Sequence, residues 1–256
     1  MVPQPCFSLA AARDRALTLV LLNNVDHQDI RVCTASDFGG GVGTIQVLAF
    51  PPEFADLQRH YPIVFRRSTD GPIRPVAILG LAEHENLFTD ATGRWQSGTY
   101  IPAGIDRGPF ALARTEDEAV FPRVLIDLDH PNVSLEDGEP LFLPRGGNSR
   151  FLERMIAVLG TIFTGEQQAD ALVAALETAG LLHPVSLKVR ASEDETYAIS
   201  NVQIVQSATL QTLSEEALLG LHRAGFLAHA IHAASSLGNL QRLADLTASR
   251  RRDGRP

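Results

Sequence analysis

The dipeptide Asp70-Gly71 stands between two strand-like runs, PIVFRRS and IRPVAILGL, and constrains the chain more than any other feature. A tight turn between antiparallel strands needs positive φ, which Asp-Gly supplies at little steric cost. The pair predicts a β-hairpin. A second hairpin follows from the alternation in PVSLKVRAS and YAISNVQIVQ, with an acidic turn over residues 192–195 between them. The runs ALTLVLLNN, DIRVCTA and PRVLIDL predict further short strands, the first two joined by a polar connection, Asp26-His27-Gln28-Asp29.

Helix signals concentrate later. Pro51-Pro52-Glu53 opens a short helix, because proline fits the first turn and Glu53 suits the positive end of the dipole. Phe54, Leu57 and Tyr61 then share one face before Pro62. Ser149 predicts the cap of a helix whose apolar residues Phe151, Met155, Ile156, Leu159 and Phe163 recur at helical spacing. A separate helix over about residues 166–179 stops at Gly180. Two more are expected over about 215–221 and 227–248, with Gly225 between them. The fold class is therefore α+β, an antiparallel or mixed sheet of hairpins with C-terminal helices packed against it. Residues 1–148 form a strand-rich, turn-rich portion and 149–249 a helix-rich portion with a hairpin, in one integrated domain. Residues 250–256 are expected to be a disordered basic tail.

Composition excludes several function classes. With 45% hydrophobic and 20% charged residues among 256, the chain is not disordered. A formal charge of −8 gives no overall attraction to nucleic acid or to an anionic membrane surface. The apolar run over residues 16–22 is too short to span a bilayer, so no membrane insertion is expected. The first residues lack a signal-peptide pattern, and the two cysteines, Cys6 and Cys33, suit reduced thiols in a cytoplasmic protein.

No complete catalytic motif is present, which points away from an enzyme. Gly39-Gly40-Gly41-Val42-Gly43 precedes a β-like run, whereas phosphate loops feed a helix whose amides hold the anion, so a turn is expected. His27-x-Asp29 matches half of the two-histidine, one-carboxylate set that holds Fe(II), with His84 or His130 to complete it. Against the metal stands a plain surface turn. Glu83-His84-Glu85 offers an acid/base pair or a solvated strand end. His222, His229 and His232 fall in the last helical region without an HExxH pattern. There is no Gly-x-Ser-x-Gly elbow. Trp95 and Tyr100, beside turns, serve as packing anchors or stack on a ligand. The candidate binding surface is drawn from the turn-rich middle: Glu85, Asn86, Arg94, Trp95, Tyr100 and Arg107.

Several segments carry a resemblance. YPIVF, PVAILGL, ENLF, GRW, YIP and PFAL in the middle, GEPLF and GLL-x-P further on, and SLGNLQRL near the end occur in consistent order. On these the chain resembles the SapC family of bacterial proteins, named from a surface-layer-associated protein. His27 sits where that family tends to have the histidine of an HRDL-like entry, although Gln28 replaces the basic residue. The resemblance implies no catalytic residues. It implies an accessory or binding role toward a protein or peptide, near surface-layer, outer-membrane or nutrient-uptake functions. The family's genomic company of hydroxylases and halogenases suggests the alternative, an iron oxygenase or peptide-modifying enzyme using His27, Asp29 and a distal histidine. The transporter permease of the same name is unrelated.

Overall fold

The computed structural model describes residues 18–34, 41, 43–67, 71–90, 92–113 and 122–252. In chain order the strands are β1 (Leu19–Leu21), β2 (Arg31–Val32), β3 (Gln46–Leu48), β4 (Ile63–Arg67), β5 (Ile73–Ile78), β6 (Phe110–Leu112), β7 (Val124–Asp127), β8 (Val133–Ser134), β9 (Glu139–Pro140), β10 (Leu182–Arg190) and β11 (Thr196–Val205). The helices are α1 (Phe54–Leu57), entered through a 3₁₀ turn at Pro51–Glu53, α2 (Ala103–Asp106), α3 (Arg150–Thr178), α4 (Ser207–Gln211), α5 (Glu215–Arg223), α6 (Leu227–Ser236) and α7 (Asn239–Arg252).

The expected hairpin forms the heart of the fold. Strands β4 and β5 pair antiparallel from Ile63↔Ala77 to Arg67↔Ile73; Asp70 itself lies outside the described residues. The second hairpin, β10–β11, joins them through Val202↔Arg66 and Gln203↔Phe65. The resulting five-stranded sheet has the order β10-β11-β4-β5-β3. Two three-stranded antiparallel sheets, β1-β7-β6 and β8-β2-β9, complete the α+β architecture. Ile63, Val64 and Phe65 are consecutive and each is 0% exposed, so β4 is covered on both faces. Helices α6 and α7 pack against β4, β11 and β10. A second core gathers Phe50, Phe110, Ile126, Leu141, Leu152 and Met155 around the first half of α3. Because β11 pairs with β4, the strand-rich and helix-rich portions share one sheet.

Capping follows the expected residues. Ser149 Oγ accepts from Leu152 N at 3.1 Å to start α3. Gly180, at φ 65°, ends it, with Leu181 N donating to Leu176 O and Gly180 N to Glu177 O, both at 2.9 Å. Ser214 Oγ caps α5 through Ala217 N at 3.2 Å.

Three helical expectations need correction. The two helices foreseen over residues 149–163 and 166–179 are one 29-residue helix, α3. Gly165 does not break it. It is the point of closest approach, where a Cβ would lie 2.5 Å from Cβ of Phe50. The last helix, foreseen as continuous over 227–248, breaks between Ser236 and Asn239. There the chain turns to grip the start of β4: Ser236 Oγ accepts from Ile63 N at 2.8 Å, and Asn239 Nδ2 donates to Gln58 O at 2.8 Å and Tyr61 O at 3.3 Å. Finally, Arg250–Arg252, placed with the disordered tail, continue α7. Arg250 Nη2 donates to Thr89 O, and Arg251 Nη2 to Tyr197 Oη at 3.3 Å, which holds the last turn down. Residues 253–256 lie outside the described set.

Candidate functional site

The turn-rich middle is organised by a buried carboxylate that sequence reasoning had placed only as a helix-dipole partner. Glu53 is 2% exposed. Its Oε1 accepts from Phe50 N at 3.0 Å, and its Oε2 from Tyr100 Oη and Ala103 N, both at 2.9 Å. Burial pushes this carboxyl above the usual carboxylate range, against the lowering pull of those donors. Tyr61 Oη in turn donates to Tyr100 O. The buried Trp95 indole lies beside the Tyr61 hydroxyl. Burial raises both tyrosine hydroxyls, with Glu53 adding to the effect at Tyr100. The motifs YPIVF, GRW and YIP thus meet in one internal network.

The other expected residues are distributed. Glu85 closes its turn by accepting from Leu81 N at 3.0 Å and Ala82 N at 3.2 Å through Oε2. Asn86 is 3% exposed, donates to Gly41 O and accepts from Phe88 N, both at 2.9 Å. Trp95 is buried, with Thr89 bridged to it across the turn. Tyr100 is half-buried, committed to Glu53. Arg94 is exposed; its backbone N–H donates to Asp90 Oδ1 at 3.0 Å, which also takes Thr92 N and Oγ1. Arg107 is half-buried and donates to Phe110 O at 2.7 Å. The structure brings Trp95 and Tyr100 together inside the scaffold and leaves Arg94 on the surface.

The iron triad is not assembled. Among the described residues no three His, Cys, Asp or Glu side chains gather where they could hold a metal ion. His27 is buried with Nδ1 against the Asn23 backbone N–H at 3.1 Å, while Asp29 and His84 are exposed. His229 sits between the rings of Phe54 and Phe226, each centroid 5.7 Å away, and His222 is exposed. Asp127 and Arg107 are electrostatic neighbours of His130. Burial lowers His130 below the usual imidazole value, with Asp127 raising and Arg107 lowering it. His130 Nδ1 accepts from Asn132 N at 3.1 Å, which leaves Nε2 to carry the proton in the neutral ring. Burial likewise lowers Arg107, opposed by Glu166.

Two open grooves lie among the described residues. One, of about 630 Å³, runs between α3 and α5 beside Ala175, Thr178, Ala217 and Leu221. The other, of about 650 Å³, lies where β11 departs from β4, beside Phe65, Arg67, Val185, Ser186, Ser200 and Gln203. It exists because the β11–β4 ladder has only two residue pairs while β11 is ten residues long. Asn201, at φ 57°, and a register shift between Val185 and Leu187 bend the hairpin away at that point. Of this region only the paired arginines in PIVFRRS, polar residues at the end of an apolar run, carried a sequence signal.

The fold is an α+β scaffold with an internally bonded middle and open grooves. The chain belongs to the SapC family, whose model matches residues 22–243. No curated protein and no solved structure shows a match. The family-matching segments YPIVF and SLGNLQRL are the ones joined by Ser236 and Asn239, and Arg242 extends the join by stacking over the Phe88 ring at 5.5 Å. Among the described residues no helix is long and apolar enough to cross a membrane.

Proposed function

We propose that this SapC-family chain is a non-enzymatic accessory protein that binds another polypeptide, working in the cytoplasm beside surface-layer, outer-membrane or nutrient-uptake functions. The observation that carries the reading is the open groove between β4 and the β10–β11 hairpin, with apolar side chains at Pro184 and Val185 and a rim of hydroxyl, amide and guanidinium groups. Such a mixture suits a polypeptide, which brings both apolar side chains and backbone acceptors. The net charge of −8 supports a protein partner over nucleic acid. Most of the middle stretch supports the scaffold in this reading; Arg94 stays available to a partner at the surface.

Native mass spectrometry of untagged protein, purified gently from its own host, tests the proposal. The expected result is added mass equal to a second polypeptide. Added mass equal to iron or a small organic molecule, or turnover of a substrate that a single polar substitution abolishes, overturns it.

A further inference from the structure

Helix α5 carries an outward face that none of the described residues covers. Ala217 and Leu221 turn toward the body of the protein, Leu221 at 2% exposure and Ala217 half-buried. On the opposite side Glu215, Glu216, Leu219, His222 and Arg223 share one face through their three- and four-residue spacing, and all five are exposed. Leu218 and Gly220 flank that face. Charge on the outside of a surface helix is ordinary. Adjacent leucines within it, 41% and 47% exposed, are not. Gly220 is also unexplained within the chain. An interior glycine weakens a helix; Gly165 in α3 has a use, because Phe50 lies against it, whereas a Cβ at Gly220 would meet nothing within 4 Å.

The order of charges along the face decides what fits it. Glu215 and Glu216 stand four and three residues before Leu219, and His222 and Arg223 stand three and four after it. Each pair suits its own end of the helix dipole, which accounts for the charges but not for leucine at their midpoint. Among the described residues none of these four side chains makes an ion pair. The face is its own complement when reversed. An antiparallel copy, turned about a twofold axis at Leu219, sets Glu215 and Glu216 of each helix beside His222 and Arg223 of the other and brings the two leucines together. Such a pair uses the same patch on both copies and closes at two.

We propose that two copies of this chain associate through α5, antiparallel about a twofold axis at Leu219. This goes beyond the partner-binding reading, and neither depends on the other. One helix pair is smaller than the roughly 1,200–2,000 Å² of a standard interface, so the dimer is weak, with a Kd of about 10–100 μM.

Sedimentation equilibrium of the full chain from about 5 to 500 μM tests it, with a monomer–dimer equilibrium as the expected result. Leu219→Glu sets two carboxylates against each other at the axis. It weakens association by at least about tenfold and leaves thermal unfolding unchanged, since the position is exposed. Charge reversal tests the orientation. Glu215→Arg with Glu216→Arg makes the face wholly basic, and His222→Glu with Arg223→Glu makes it wholly acidic. Each double variant, folded by circular dichroism, is monomeric alone, and mixing the two restores a dimer with one copy of each. A wild-type chain that stays monomeric over the whole range, a dimer indifferent to Leu219→Glu, or reversed variants that fail to pair overturns the proposal. A different host protein that cross-links to α5 of a monomer also overturns it, while leaving the partner-binding reading intact.

Discussion

Glu53→Gln tests the network that holds the middle of the chain. Three donors meet two carboxylate oxygens at this position: Phe50 N on Oε1, and Tyr100 Oη with Ala103 N on Oε2. Glutamine keeps the shape but offers one acceptor oxygen. Its better orientation gives that oxygen to Tyr100 and Ala103 and turns the amide NH₂ toward the Phe50 N–H. One buried donor is then unmet, at a cost of about 1–3 kcal/mol. In a chain of this size that lowers Tm by roughly 2–4 °C per kcal/mol. The loss depends on pH with a defined sign. Burial raises the folded carboxyl above its ordinary value of 4.5, so between that value and the folded one the native state binds more protons than the unfolded state. Wild-type stability from this group is therefore fully present below 4.5 and declines as pH rises through the folded value. Glutamine has no such decline. Urea unfolding followed by circular dichroism across that window should show the largest wild-type advantage at its acidic end, shrinking upward. An advantage that grows with pH, or none at the acidic end, would refute the assignment of Glu53 as a desolvated buried acid.

Other substitutions probe the packing and the turns. Gly165→Ala sets about 1–3 kcal/mol of overpacking against Phe50 against about 1 kcal/mol of improved helix propensity. Chemical denaturation should show net destabilisation in the native background and a smaller loss, or a gain, when Phe50→Gly, which removes the Cβ that Gly165 faces, is also present. Ser236→Ala orphans the Ile63 N–H and costs about 1–3 kcal/mol, with faster hydrogen exchange at Ile63 as its local signature; unchanged exchange there contradicts the clamp. At Asp90, burial raises the carboxyl but donors from Thr92 and Arg94 outweigh it, leaving the group below its ordinary value of 3.8. Its contribution is present above 3.8 and disappears as pH falls through the folded value, so Asp90→Asn should flatten the acid dependence of exchange at the Arg94 amide.

Local chemistry was legible and long-range chemistry was not. Asp70-Gly71 announced β4 and β5, Ser149 and Ser214 announced helix starts, and Gly180 announced a stop, because each acts within a few residues of itself. The join of the helices expected over 149–163 and 166–179 had no local mark, because the use of Gly165 between them is to let Phe50, more than a hundred residues earlier, approach the helix. The pairing of β11 with β4 is equally distant in sequence and has no local mark. Arginine in the run 250–252 looked like solvated charge because its acceptors, Thr89 O and Tyr197 Oη, lie far upstream. Of the candidate site, Trp95 and Tyr100 were recognisable as important aromatics. Glu53, which organises them, was visible only as an acid at a helix start, since nothing beside it in the sequence reveals that its carboxylate is buried.

The grip of Ser236 on Ile63 also sets a timetable. The strand that the whole sheet is built around acquires this partner only after 173 further residues have been added. At about 5–20 residues per second of synthesis, that interval is roughly 9–35 s. Throughout it β4 has β5 on one side, and its other side waits for β11, so a newly made chain carries an apolar, half-matched ribbon. Protease protection of nascent chains stalled at increasing lengths should therefore rise in one late step, once the α6–α7 corner has emerged. Gradual protection beginning with the β4–β5 hairpin would mean that the first half holds itself together without the last.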